Sequence, residues 1–192
     1  MKSFFRYGGF LSIALFLALP LAAGPITYTM TGFLSGGLVT APIEGAAFTF
    51  VFNGDTTNIF TSGDTLLNPA TSNSISITGF GSGQFTQTID VGVNPTAGNG
   101  ITGFVDAGLT NGLTFKNAGF VGWNLATPIG PLTSATPSWA SGVFTTSLGT
   151  LTITGARNLT FEATTVPEPA TIALAGLALL CLAGFRKSRA KR

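Results

Sequence analysis

The chain holds no histidine and one cysteine, Cys181, so imidazole is excluded outright and a thiolate is excluded from everything outside one apolar segment. Acid–base work would fall to carboxylates. Between Gly24 and Thr165 these are Glu44, Asp55, Asp64, Asp90, Asp106 and Glu162. Hydrolysis of a glycoside needs two such groups about 5 to 9 Å apart, one acting as acid and the other as base or nucleophile. Asp55 and Asp64 are the nearest pair in sequence, yet each follows a glycine in a turn context, where a carboxylate caps backbone N–H groups. Serine and threonine hydroxyls are abundant, but a hydroxyl without a base is a poor nucleophile. Lys116 is a lone amine in a strand-like run. No catalytic residue is assigned.

Ligand binding has more candidates. Asn53, Asp55 and Asn58 put oxygen ligands in one segment, as Ca²⁺ requires, but the spacing is not that of an EF-hand loop and no bidentate glutamate closes it. The segment reads as an Asx turn, and neither metal nor cofactor is assigned. Trp123 and Trp139 are the candidate glycan-stacking residues, because an exposed indole stacks on a sugar ring whereas a buried one fills a core. Of the two, Trp139 lies in the Pro/Ser-rich segment and is the better placed for exposure. The threonine rows 27/29/31 and 150/152/154 offer a flat hydroxyl face for ice or carbohydrate, although an ordinary solvated strand face accounts for them as well. Asn158-Leu159-Thr160 fits the N-glycan acceptor pattern.

Charge narrows the partners. The formal net charge is +2, but seven of the nine Lys/Arg residues lie in the two terminal segments. Between Gly24 and Thr165 only Lys116 and Arg157 oppose six carboxylates, and two minus six leaves −4. Nucleic acid is excluded as a partner, because phosphate neutralisation needs clustered cations.

The elements that must position these groups have a period of two. Ile26, Tyr28 and Met30 alternate with Thr27, Thr29 and Thr31; Phe48, Phe50 and Phe52 recur around Thr49 and Val51; Leu159, Phe161 and Ala163 alternate with Thr160, Glu162 and Thr164. These are strands. Ile101–Val105 and Leu113–Val121 are Gly-interrupted runs of the same kind. Ser35-Gly36-Gly37, Asn53-Gly54-Asp55, Ser62-Gly63-Asp64, Asn99-Gly100, Asn111-Gly112 and Gly155 read as turns. The stretch from Thr127 to Ser138 reads as a strandless surface connection. The expectation is one all-β domain over 24–165, an antiparallel β-sandwich of jelly-roll type.

Both ends carry targeting features. Lys2 and Arg6, an apolar run from Phe10 to Leu19 and Leu21-Ala22-Ala23 make residues 1–23 a signal peptide, cut by signal peptidase. Residues 166–192 join Val166-Pro167-Glu168-Pro169 to an apolar run, 170–185, and a basic tail, 186–192. Sixteen residues of helix span about 24 Å, short of the roughly 30 Å hydrocarbon core, so this transmembrane segment is marginal and relies on its basic tail as a stop.

Pro167, Glu168 and Pro169, the apolar run and the terminal Arg/Lys cluster resemble the PEP-CTERM sorting signal. That resemblance implies recognition by an exosortase, a membrane enzyme of the cysteine-transpeptidase type, and delivery to the cell surface in organisms that make exopolysaccharide or biofilm matrix. Ala46-Ala47-Phe48-Thr49 with the 53–58 segment, and Trp123-Asn124-Leu125 with Ile129-Gly130-Pro131, are similar to a recurring ectodomain layout among such proteins, mostly of unknown function. The expectation is a non-enzymatic surface or matrix protein associated with exopolysaccharide. A carboxylate hydrolase and a threonine-face ice or surface binder are the alternatives.

Overall fold

A computed structural model describes residues 24–96, 98 and 100–166. The expected signal peptide 1–23, the sorting residues Pro167, Glu168 and Pro169, the apolar run 170–185 and the basic tail lie outside the described residues. Among the described residues no helix is long and apolar enough to cross a membrane.

Alternation of apolar and hydroxyl residues produces strands throughout. In chain order they are β1 (Pro25–Leu38), β2 (Ala41–Asp55), β3 (Phe60–Ser62), β4 (Thr65–Pro69), β5 (Ser72–Ile77), β6 (Gly81–Gly83), β7 (Ile89–Asn94), β8 (Ile101–Asp106), β9 (Gly112–Lys116), β10 (Ile129–Ser134), β11 (Trp139–Thr146) and β12 (Gly149–Thr165). All pair antiparallel in one large sheet, in the order β3-β4-β7-β8-β9-β11-β12-β1-β2-β5-β6, with β10 pairing to β12. The only helical pieces among the described residues are two single turns of 3₁₀ helix, Thr56–Asn58 and Ala118–Phe120. The all-β expectation is met.

β11 couples two halves of this sheet, since Trp139–Ser141 pair with β9 while Gly142–Thr146 pair with β12. Rings from strands far apart in the pairing order nevertheless touch. Phe50 on β2 lies 5.2 Å, edge to face, from Phe104 on β8, and Phe104 lies 5.6 Å from Phe144 on β11. A second cluster joins Phe120, Trp123 and Phe161, with Trp123 5.7 Å from Phe161. Offset and edge-on rings of this kind contribute beyond their buried area. The inward positions of β1, β2 and β12 supply Ile26, Tyr28, Met30, Phe48, Phe50, Phe52, Leu159 and Phe161 to this one core.

Several expected turns are strand interior. Ser35-Gly36-Gly37 lies within β1, Asn53-Gly54-Asp55 ends β2, and Gly155 lies within β12. The reason is that these strands are long, 14, 15 and 17 residues, and the glycines mark register irregularities or close approaches instead of reversals. Gly36, for example, comes so near the Thr152 backbone that a Cβ there would run into it. The expected strandless stretch 127–138 contains β10, held by pairing to β12. Its prolines are compatible with an outer strand, where a missing N–H costs no ladder bond. Ser62-Gly63-Asp64 does turn the chain between β3 and β4, with Gly63 at φ 59°.

Candidate functional site

The pairing of β10, β12, β1, β2, β5 and β6 places their outward residues in register. Thr133 pairs with Thr160, Thr160 with Thr31, Thr31 with Thr49, Thr49 with Ser76, and Ser76 with Ser82. Six strands thus contribute six hydroxyls to one transverse row. A second row runs Glu162, Thr29, Val51, Ser74, and a third Thr164, Thr27, Asn53, Ser72. Neighbouring strands are about 4.8 Å apart and alternate residues along a strand about 6.7 Å apart, so the outer face is a near-regular grid of hydroxyls. Some cross-link: the Thr27 hydroxyl donates to Asn53 Oδ1 at 2.7 Å, and Asn53 Nδ2 donates to the Ser72 hydroxyl at 2.9 Å. Ser82 donates to Ser76 at 3.1 Å. Of the two rows expected from sequence, 27/29/31 forms the centre of this grid. Thr150 and Thr152 lie farther along β12, opposite Thr145 and Val143 of β11.

The tryptophans separate. Trp123 is 6% exposed, stacks among Tyr28, Phe120 and Phe161, and donates its indole N–H to the Thr127 carbonyl at 2.9 Å. It is a core residue, which corrects its candidacy for glycan stacking. Trp139 is half-buried and lies across Gly112, where a Cβ would stand 2.6 Å from its Cζ3.

The carboxylates are used locally. Asp55 Oδ1 accepts from the Thr57 backbone N–H at 2.8 Å and from the Thr57 hydroxyl at 2.7 Å, bonds that hold its carboxyl below the usual range. Asn53 is committed to Thr27 and Ser72, so the 53/55/58 segment is the Asx-type cap read from sequence, and Asp64 is exposed in the β3–β4 turn.

The electrostatically linked pair is Asp90 and Asp106, which sequence spacing did not suggest. Asp90 on β7 is 4% exposed; burial, then the negative charge of Asp106, pushes its carboxyl up. Burial acts in the same direction on Asp106, but hydrogen bonds from Asn111 and Thr110 outweigh it and hold that carboxyl low. Asp106 Oδ1 accepts the backbone N–H groups of Thr110 and Asn111, and Oδ2 accepts the Thr110 hydroxyl and Asn111 Nδ2 at 2.6 Å. With its acceptor positions filled by its own turn, Asp106 is a staple for the β8–β9 connection.

One polar chain crosses the core. Asn68 Nδ2 donates to the Tyr28 hydroxyl at 2.7 Å, and that hydroxyl donates to the Leu125 carbonyl at 2.8 Å. Burial pushes the Tyr28 phenol up to about 12, against the hydrogen bond from Asn68 that lowers it. Asn68 Oδ1 is buried without a hydrogen-bond partner.

The described residues form an all-β fold. Residues 165–189 match the family model described as the PEP-CTERM protein-sorting motif. The chain therefore carries a PEP-CTERM sorting signal and is an exported, exosortase-targeted protein. No curated protein and no solved structure matches it.

Proposed function

We propose that the ectodomain is a non-enzymatic surface or matrix domain that holds exopolysaccharide against its outer face, after an exosortase has released it from a membrane-anchored precursor. The observation that carries this is the six-strand hydroxyl row Thr133, Thr160, Thr31, Thr49, Ser76 and Ser82. A wide, nearly uncharged face of donors and acceptors suits a polymer of hydroxyls, which it can bind through many individually weak hydrogen bonds. The finer architecture that fits is a sandwich, the two halves of the sheet packed through Phe50, Phe104 and Phe144.

Ice binding is the second reading, favoured by the regular spacing of the same rows. The bonds joining Thr27, Asn53 and Ser72, and Ser82 to Ser76, weigh against it, because they direct hydroxyls at one another. Co-sedimentation of the full-length protein in detergent with the host's exopolysaccharide tests the reading: retention that is lost in Thr31→Val/Thr49→Val/Ser76→Val supports it. Inhibition of ice recrystallisation without polysaccharide retention would favour the second.

A further inference from the structure

At one end of the hydroxyl grid the strands fall out of register. Leu34 pairs with Ala46 but Ser35 with Glu44, leaving Gly45 as the extra residue of β2 at φ 69°. On β12 the partners jump from Gly155 to Ile153, leaving Thr154 extra. Such bulges bend strands and re-aim side chains, and they gather beside functional sites. Here they open a groove of about 430 Å³ whose lining includes Ser35, Glu44, Gly45, Thr154 and Arg157.

Arg157 is one of only two cations between Gly24 and Thr165. It pairs across the ladder with Phe33, its guanidinium lies 5.2 Å from the centre of that ring, and it continues over β1 toward β2. Gly45 makes room for it: a Cβ there would stand 3.0 Å from an Arg157 Nη. Among the described residues the guanidinium has neither a hydrogen bond nor an ion pair. A charged planar fork thus lies over an aromatic ring and beside a glycine, with its donors unused at a groove. Guanidinium forks match carboxylates two bonds at a time.

We propose that this groove binds the carboxylate of an acidic sugar, with Arg157 as the anion receptor and Glu44, Ser35 and Thr154 facing the ring hydroxyls. This deepens the outer-face reading and rests on it, naming a uronate-bearing polysaccharide as the polymer. Glu44 and the net charge of the ectodomain oppose a densely anionic chain, so the fitting polymer carries uronate sparsely among neutral residues.

The test is titration of full-length protein in detergent with a uronic-acid tetrasaccharide and with its neutral counterpart, followed by calorimetry or tryptophan fluorescence. The uronate binds at least tenfold more tightly than the neutral sugar. Arg157→Gln removes that preference, and Arg157→Lys, which keeps charge but not the fork, retains only part of it. An unchanged melting temperature establishes that these exposed-site variants are folded. Equal affinity for both sugars, no measurable uronate binding, or full retention of the preference in Arg157→Gln would each overturn the proposal. Unchanged neutral-polysaccharide retention in Thr31→Val/Thr49→Val/Ser76→Val with uronate preference intact would defeat the grid reading and leave the groove standing.

Discussion

On the β12–β1–β2–β5 side of the sheet the outward positions carry Thr160, Thr31, Thr49 and Ser76, while on the β4–β7–β8–β9 side the corresponding transverse row is Leu67, Gly92, Gly103 and Thr114. The first row is solvated. The second is largely buried although it faces away from the ring core: Leu67 is 3% exposed and folds over Gly92, and Val105 and Trp139 close over Gly112. Glycines remove side chains from the sheet surface, and neighbouring apolar groups lie down into the space. The same pleat therefore gives a wet, adaptable face in one half and a closed face, sensitive to any added atom, in the other. Asp90, flanked in register by Pro69 and Val105, is the charge trapped in the closed face.

The sharpest way to break this contrast is to add atoms to the closed face. Gly103→Val forces a side chain into the Leu113 and Thr114 backbone at φ 158°. It should cost more than about 3 kcal/mol or prevent folding, whereas Thr49→Val on the open face should stay within about 0.5 kcal/mol, both measured by chemical unfolding. Equal effects would show that the two faces are not different in kind.

The polar chain that crosses the core is next in size. Tyr28→Phe leaves the Leu125 carbonyl without its donor and Asn68 Nδ2 without its acceptor, and should cost about 2 kcal/mol. In the native protein the phenol's pKa is raised from 10.0 to about 12. The neutral form is the stabilising one, so the phenol's contribution to stability should be constant below pH 10 and fall as pH rises toward 12. Tyr28→Phe should lose that alkaline slope.

The two linked aspartates, both on the β4–β7–β8–β9 side, respond to pH with opposite sign. Asp90 is pushed up, so its neutral form is favoured by folding and its contribution is lost as pH rises through the folded value; Asp90→Asn should stabilise the protein by about 1 kcal/mol at pH 7, and the gain should vanish in acid. Asp106 is held low, so its contribution is present at neutral pH and lost as pH falls; Asp106→Ala should cost about 1 kcal/mol at pH 7 and little in acid. Thermal melts from pH 3 to 8 would check both. A destabilised Asp90→Asn at pH 7 would mean that the carboxylate is compensated in place.

The smallest stability effect is expected where the binding effect is largest. Thr31→Val, Thr49→Val and Ser76→Val together should change stability by no more than about 1 kcal/mol, because outward strand positions tolerate β-branched apolar residues. Polysaccharide retention should nevertheless be lost.

By itself the sequence determined the all-β class, the inward sets on β1, β2 and β12, the capping role of Asp55 and the terminal sorting signal. Each is a local pattern, either a period of two, a carboxylate two residues before an N–H, or an ordered terminal motif. Register was decided only by tertiary structure. Whether Ser35-Gly36-Gly37, Asn53-Gly54 and Gly155 reverse the chain or bulge within a strand depends on the partner strand, and a glycine carries the same conformational freedom in either setting. The alignment of Thr133, Thr160, Thr31, Thr49, Ser76 and Ser82 from six separate strands, the meeting of Asp90 with Asp106, and the crossing of Arg157 over Phe33 to Gly45 all follow from pairings between residues distant in the chain. Trp123 belongs with these: its fate depended on whether Tyr28 and Phe161 would stand beside it, and no feature of its own neighbourhood states that.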